Sequence, residues 1–173
     1  IDADVIVNVQ GDEALLDPND IIKAVSCKID NEDCVVTCMA KLTSSEKPED
    51  LKTCKVVTNL NGDLMYVSRN AIPSSKTGIV KSAHKQICIY AFTKGQLKDY
   101  YDIGKKNGKT PVEASEDIEI IRFLEMGLKV KMVEVEGGTL AVDFPEDVKE
   151  VEKIFRKQQL YSKLDSKVKT GIR

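Results

Sequence analysis

Two acids stand where a divalent cation could be held. Asp12 follows the apolar run Asp4-Val-Ile-Val-Asn-Val-Gln10, and Gly11 before it lets the backbone turn sharply and approach a ligand closely. Glu13 adds a second carboxylate and Gln10 an amide. In an open α/β sheet, ligands bind beyond the carboxyl ends of the strands. Magnesium takes oxygen ligands of this kind and keeps several of its waters. Gly-Asp is also ordinary turn chemistry, so a solvated turn is the competing account. Asp143 lies between Leu140-Ala-Val142, which reads as a strand, and a helix opened by Pro145. By itself it could be a helix N-terminal acid favoured by the macrodipole. Together, Asp12 and Asp143 are two strand-end carboxylates that could converge on one metal. Arg69 and Lys55 are candidate anion ligands, the Arg fork suiting a carboxylate or phosphate. Each could equally be a surface cation.

Other chemistries find little here. His84 is the one histidine, and no Ser or Cys beside it carries a nucleophile motif. There is no G-x-G-x-x-G and no G-x-x-x-x-G-K-S/T. The five cysteines include no C-x-x-C. A zinc site would have to start from Cys34-x-x-x-Cys38 with His84, poor ligand spacing; on a strand, both thiols behave as small buried hydrophobes. Free thiols fit a reducing cytoplasm. The net charge of −2 argues against a basic nucleic-acid surface. The apolar runs are far too short to span a bilayer. With 173 residues, 42% of them hydrophobic, the chain can build one α/β core. A start at Ile1, almost directly on a strand and without Met, reads as a fragment.

The elements that must position these residues follow from periodicity. Asp4 to Gln10 reads as a fully buried parallel strand. Asp17-Pro18 opens a helix with Ile21, Ile22, Val25 and Ile29 inward. Cys34 to Leu42 is a strand, and Thr43 to Asp50 a polar loop. Cys54 to Leu60 and Leu64 to Ser68 flank Asn61-Gly62, a strong hairpin signal. Ile72 to Lys81 is a long loop, and Lys85 to Phe92 a strand. Thr93 caps a helix with Leu97, Tyr100 and Tyr101 on one face. Ser115 to Met126 reads as one helix closed by Gly127. Lys129 to Val135 alternates as a strand, and the last helix turns Val148, Val151, Ile154 and Phe155 inward. The sum is one domain over residues 1–158, a mixed sheet flanked by helices with an antiparallel hairpin excursion, and a polar, basic tail over 159–173.

Val7-Asn-Val-Gln-Gly-Asp-Glu13 resembles the central signature of the CMP-KDO synthetases, the 3-deoxy-manno-octulosonate cytidylyltransferases. The resemblance continues, in order, through Lys55-Val-Val57, Ser68-Arg69 with Ile72-Pro73, Ile89-Tyr90, Arg122-Phe-Leu with Gly127, and Val142-Asp143 with Pro145-Glu-Asp147. It implies a Rossmann-like fold of the nucleotide-diphospho-sugar transferase type. It implies transfer of CMP from CTP to the anomeric hydroxyl of a 3-deoxy-2-keto sugar acid, with release of pyrophosphate, for bacterial lipopolysaccharide and other surface polysaccharides. Carried over by position, Asp12 and Asp143 would hold the catalytic Mg²⁺. Gln10 and Gly11 would lie near the nucleotide, Lys55 would meet an anion, Arg69 would meet the sugar carboxylate, and Gln86, Tyr90 and Glu119 would line the sugar pocket. Members are typically cytoplasmic homodimers.

The sequence departs from that pattern where the family usually has His and this chain has Gln86, where a Gln is replaced by Ile120, and where Asp-Thr-Pro reads Asp143-Phe144-Pro145. The first two bear on sugar recognition, and the third removes an N-cap hydroxyl. The family's N-terminal nucleotide loop has no counterpart here, so these 173 residues alone are expected to be inactive. Two other readings stay open: a sugar-phosphate nucleotidyltransferase, which a lysine-rich pocket would favour, and a non-catalytic sugar-nucleotide-binding or assembly module of the same fold.

Overall fold

A computed structural model describes residues 2–77, 83–137, 140–142 and 144–157. Its elements run β1 (Ile6–Val9), α1 (Pro18–Asp30), β2 (Val35–Lys41), β3 (Lys55–Thr58), β4 (Leu64–Ser68), β5 (His84–Phe92), α2 (Lys94–Asn107), α3 (Pro111–Glu116), α4 (Ile120–Glu125), β6 (Val130–Glu134) and α5 (Pro145–Lys157). Two compact units divide them: Ile1–Val9 with Pro18–Gly137, and Gln10–Asp17 with Gly138–Arg173.

The first unit is built on a mixed sheet in the order β4-β3-β5-β2-β6, with β1 also on β5. The long β5 organises it. One edge of β5 carries β2, from Val36↔Ala91 to Lys41↔His84. The other is shared by β1, from Ile6↔Phe92 to Val9↔Ile89, and by β3, at Lys55↔Lys85 and Val56↔His84. Only the β2–β6 pair is parallel among the described strands. The antiparallel excursion is β3–β4, closed over Asn59 to Asp63. The turn is not the two-residue Asn-Gly type. Gly62 N–H donates to Asn59 O (3.0 Å), the Asn59 side chain accepts from the N–H groups of Asn61 and Asp63, and Gly62 takes φ +78°. Gly is the residue that adopts this conformation without a steric cost.

Alternation along β5 splits the core. Tyr90 and Phe92 join Val35, Val56, Val67, Ile118, Ile120, Ile121 and Phe123 in one buried cluster. Ile87, Ile89 and Ala91 point the other way, and α1 packs across β2, β5 and β6.

Three expectations are corrected. β1 is short, antiparallel and half-covered, with Val9 40% exposed. An apolar run reports burial but carries no strand direction. In α1, Ile22 and Ile29 are exposed, while Asp20, Ala24 and Lys28 are buried. Hydrogen bonding decides that face: Lys28 Nζ donates to Glu32 O (2.5 Å), Cys34 O (2.6 Å) and Gln96 Oε1 (3.0 Å), which satisfies a buried ammonium. The helix expected from Ser115 to Met126 is two helices, α3 and α4. The first begins earlier, at Pro111 after Thr110, and ends at Asp117 in the left-handed region (φ 54°, ψ 50°). Thr93 caps α2 in a capping box with Gln96 as expected, and Tyr101 on that helix is exposed.

In the second unit, the strand expected at Leu140 to Val142 does not form, since so short an apolar stretch finds no strand partner among the described residues, and α5 starts without a capping hydroxyl at Phe144. Asp147 supplies the reciprocal half of a capping box, its carboxylate accepting from Phe144 N–H (2.8 Å). Along α5, Val151 is buried, Ile154 and Phe155 are partly buried, and Val148 is exposed. The tail expected over 159–173 and part of the Ile72–Lys81 loop lie outside the described residues.

Candidate functional site

A cleft of about 230 Å³ opens in the first unit, lined by Ile6, Asn8, Tyr90, Phe92, Leu97, Tyr100, Glu119, Ile120 and Phe123. The register explains its walls. Asn8 on β1 lies directly opposite Tyr90 on β5, so both side chains meet on one face. Phe92, Tyr100 and Phe123 stack, with centroids 5.4 and 4.8 Å apart, and form an aromatic wall.

Three of the expected sugar-site residues come together here. Gln86 Nε2 donates to the Tyr90 hydroxyl (3.2 Å), and that hydroxyl donates to Glu119 Oε1 (3.0 Å). Gln86 and Tyr90 share a face of β5 at i, i+4. Glu119 arrives from the segment between α3 and α4. Tyr90 is 2% exposed, and burial, with Cys88 and Glu119 adding, pushes its hydroxyl well above the usual tyrosine range. It therefore stays a proton donor aimed at a carboxylate. Gln86 does not line the cleft; it acts on Tyr90 from behind. Ile120 is wholly buried in the core cluster and forms cleft floor.

Lys55 and Arg69 are engaged elsewhere. Lys55 is fully buried, and its Nζ donates to Asp50 O (2.7 Å), Thr53 O (2.5 Å) and Arg69 O. An ammonium has three N–H groups, so in this arrangement none is left for an anion. Burial lowers its pKa. Arg69 donates from Nε to Glu116 O (2.7 Å), from Nη2 to Asp117 O (3.0 Å) and from Nη1 to Leu51 O (3.2 Å). These bonds use three of its five donors.

Residues not singled out in the sequence also shape the cleft. Asn8 is its amide group, signalled by a polar residue inside an apolar strand motif. Tyr100 is held by a buried ion pair: Arg122 donates to Glu113 from Nε and Nη2 (both 2.7 Å), and its guanidinium lies 3.9 Å over the Tyr100 ring. Gly104 makes room for it, since a Cβ there would stand 2.3 Å from Arg122 Nη1.

In the second unit, the Gln10–Asp17 segment is a tight turn. The Asp12 carbonyl accepts from Ala14 N–H and from Val142 N–H (both 3.0 Å), which brings the Asp12 loop beside the residue preceding Asp143. Asp143 itself lies outside the described residues. Asp12 Oδ1 is a buried carboxylate oxygen with no hydrogen-bond partner among the described residues. Leaving such an oxygen bare is costly. A hard cation would satisfy it, so the donor chemistry fits Mg²⁺. A side chain at Gly11 would meet no atom within 4 Å, so the backbone there is open to a ligand.

The mixed sheet with its hairpin is the nucleotidyltransferase fold. It aligns with the solved structure of CMP:2-keto-3-deoxy-manno-octonic acid synthetase complexed with CTP, at TM-score 0.82 and 26% identity, over 91% of this chain and 64% of that one. A cytidylyltransferase profile matches residues 1–160, and the chain belongs to that family. Among named relatives, 3-deoxy-manno-octulosonate cytidylyltransferase from Christiangramia forsetii is 35% identical over 89% of this chain and 62% of its own length. The enzyme of that name from Protochlamydia amoebophila is 32% identical over 92% of this chain and 61% of its own length. The chain thus spans about three-fifths of these relatives.

Proposed function

We propose that the whole protein transfers CMP from CTP to the anomeric hydroxyl of a 3-deoxy-2-keto sugar acid. The oxygen of that hydroxyl forms a bond to the α-phosphorus, the bond from the α-phosphorus to the bridging oxygen breaks, pyrophosphate leaves and the hydroxyl proton goes to solvent or a base. The chemistry is mainly positioning and charge stabilisation. The observation that carries the reading is the Gln86–Tyr90–Glu119 chain at the wall of an otherwise apolar cleft. Asn8 and Glu119 offer hydroxyl-binding groups, and the aromatic wall suits the apolar face of a sugar ring. The cleft is smaller than the ~300–1,000 Å³ typical of drug-sized sites, which fits a sugar unit rather than a whole nucleotide. Glu119 repels a carboxylate, and no Lys or Arg lines the cleft among the described residues. The sugar's acid group therefore points out of it.

The same lining disfavours a sugar phosphate, which would require cations. Asp12, with Asp143, would hold Mg²⁺, and Gln10 with Gly11 would approach the nucleotide. When bound, the metal supplies charge neutralisation on the triphosphate. Asp12's own part is to present a desolvated carboxylate oxygen to it. A cytoplasmic homodimer serving bacterial surface polysaccharides completes the proposal, and no described helix is long and apolar enough to cross a membrane. The test is pyrophosphate release by the full-length protein with CTP, Mg²⁺ and a panel of 2-keto sugar acids and sugar phosphates, with the CMP-sugar identified by mass. Turnover on sugar acids is expected. Turnover on sugar phosphates alone, or none at all, overturns the reading.

A further inference from the structure

We propose that Arg69 is a positioning residue whose guanidinium clamps the break between α3 and α4 and so delivers Glu119 to Tyr90. The inference rests on the proposed function for its catalytic consequence, and on geometry for the clamp. Helix α3 stops at Glu116, and Asp117 enters the left-handed region, its N–H still donating to Glu113 O (2.8 Å). A non-glycine residue holds that conformation when its surroundings enforce it. The halted helix leaves carbonyls without the partners a further turn would supply. Arg69 meets two of them, Glu116 O and Asp117 O, and ties both to Leu51 O. From the other side, Ile121 N–H and Arg122 N–H donate to Ile118 O and Glu119 O (both 3.2 Å) and start α4. Glu119 is therefore held between a clamp and a helix start.

The clamp is itself anchored. Glu116 accepts from Arg69 N–H (3.0 Å), Ser68 Oγ (2.7 Å) and Tyr66 Oη (3.1 Å), so backbone and side chain of the 68–69 segment grip the same turn. The buried Lys55 donates to Arg69's carbonyl and fixes the other end. Arg69 makes its three bonds from three separate nitrogens held in one plane, whereas a lysine at this position would have to direct all of its bonds from a single nitrogen. In this arrangement Arg69 reaches the chemistry through Glu119, without touching a substrate.

The test uses the full-length protein with Arg69→Ala, Arg69→Lys, Glu119→Gln and the Arg69→Ala/Glu119→Gln double variant. Amide exchange over 117–120, read by mass spectrometry, is expected to rise roughly tenfold or more in Arg69→Ala, because the local opening loses its main restraint. With a sugar acid, kcat/KM should fall about as far as in Glu119→Gln while the KM for CTP stays within about twofold. The double variant should be no worse than the poorer single one, since both act on one group. Methylguanidine should partly restore Arg69→Ala and leave Glu119→Gln unchanged. Unchanged exchange, or losses that multiply in the double variant, overturns the clamp and returns Arg69 to direct substrate contact. If Arg69→Ala does not fold, Arg69→Lys decides on the same two readouts. A wild-type protein that makes no CMP-sugar sinks the functional reading, while the exchange result still decides the clamp.

Discussion

Tyr90→Phe isolates the group on which the cleft's polar chemistry turns. The ring remains, so its stacking with Phe92 (centroids 6.0 Å, planes 8° apart) and the cluster around it are kept. What is lost is one oxygen that accepts from Gln86 and donates to Glu119. The two sides respond differently. Glu119 is exposed and regains water. Gln86 is only 9% exposed, and its amide is left short of an acceptor. An unmet buried donor costs on the order of 1–3 kcal/mol. For a domain of this size that lowers the melting temperature by about 2–4 °C per kcal/mol. Loss of a hydrogen bond to a charged carboxylate is worth about 1.5–3 kcal/mol, or roughly 10- to 150-fold in rate terms. The full-length variant should therefore lose about tenfold or more in kcat/KM for the sugar acid, with the KM for CTP unmoved. Gln86→Leu, which keeps the Tyr90–Glu119 bond, should lose less. Steady-state pyrophosphate release at saturating CTP and a thermal melt measure both effects. A lowered melt with unchanged sugar kinetics would refute the reasoning, since the hydroxyl would then be a structural strut only.

Removing one side of the buried Arg122–Glu113 pair, as in Arg122→Ala, should cost about 3–5 kcal/mol in a denaturant melt, because an uncompensated carboxylate stays behind. Acid should weaken the same region. Burial alone would raise the Glu113 and Glu116 pKa values, but bonds from Arg122 and Thr110, and from Ser68, Arg69 and Tyr66, outweigh it and hold both below the ordinary 4.5. A depressed carboxylate contributes stability above its unfolded value, and that contribution is lost as pH falls through the folded one. Melts should be insensitive to these groups above about pH 5.5 and drop below about pH 4.5, less so in Glu113→Gln. Asp12→Asn should leave the fold intact, remove any Mg²⁺-dependent rise in melting temperature and cut turnover by roughly 100-fold or more; near-normal turnover counts against the metal assignment. Ile120→Gln puts an amide into a wholly buried position and should lower stability by about 1–3 kcal/mol, whereas Gln86→His, acting through Tyr90, should shift the ratio of rates across a sugar-acid panel. A panel in which only Ile120→Gln moves that ratio would reverse this order.

Much of this protein was legible in one dimension. Most strands and helices, the Thr93 cap and the hairpin follow from local rules, though the short apolar stretch Leu140 to Val142, read as a strand by the same rules, forms none. Apolar period, cap chemistry and turn residues act between neighbours in sequence. Gln86 and Tyr90 are one such case, because four residues along a strand share a face. Other features depend on contacts far along the chain. The buried face of α1 is set where the Lys28 ammonium meets the Cys34 carbonyl and the side chain of Gln96, a residue of the distant helix α2, so two isoleucines lie outward and a lysine inward. The helix expected across Ser115 to Met126 breaks at Asp117, where Arg69, 48 residues earlier in the chain, donates to the carbonyl that the broken helix leaves open. Direction escapes pattern as well: the apolar run of β1 says buried strand but not antiparallel to β5. Residue type made Lys55 and Arg69 look like anion ligands, since a cation's chemistry is local. Only the packed structure decides whether its donors are already taken, and here backbone carbonyls, several of them from distant loops, take all of Lys55's and most of Arg69's.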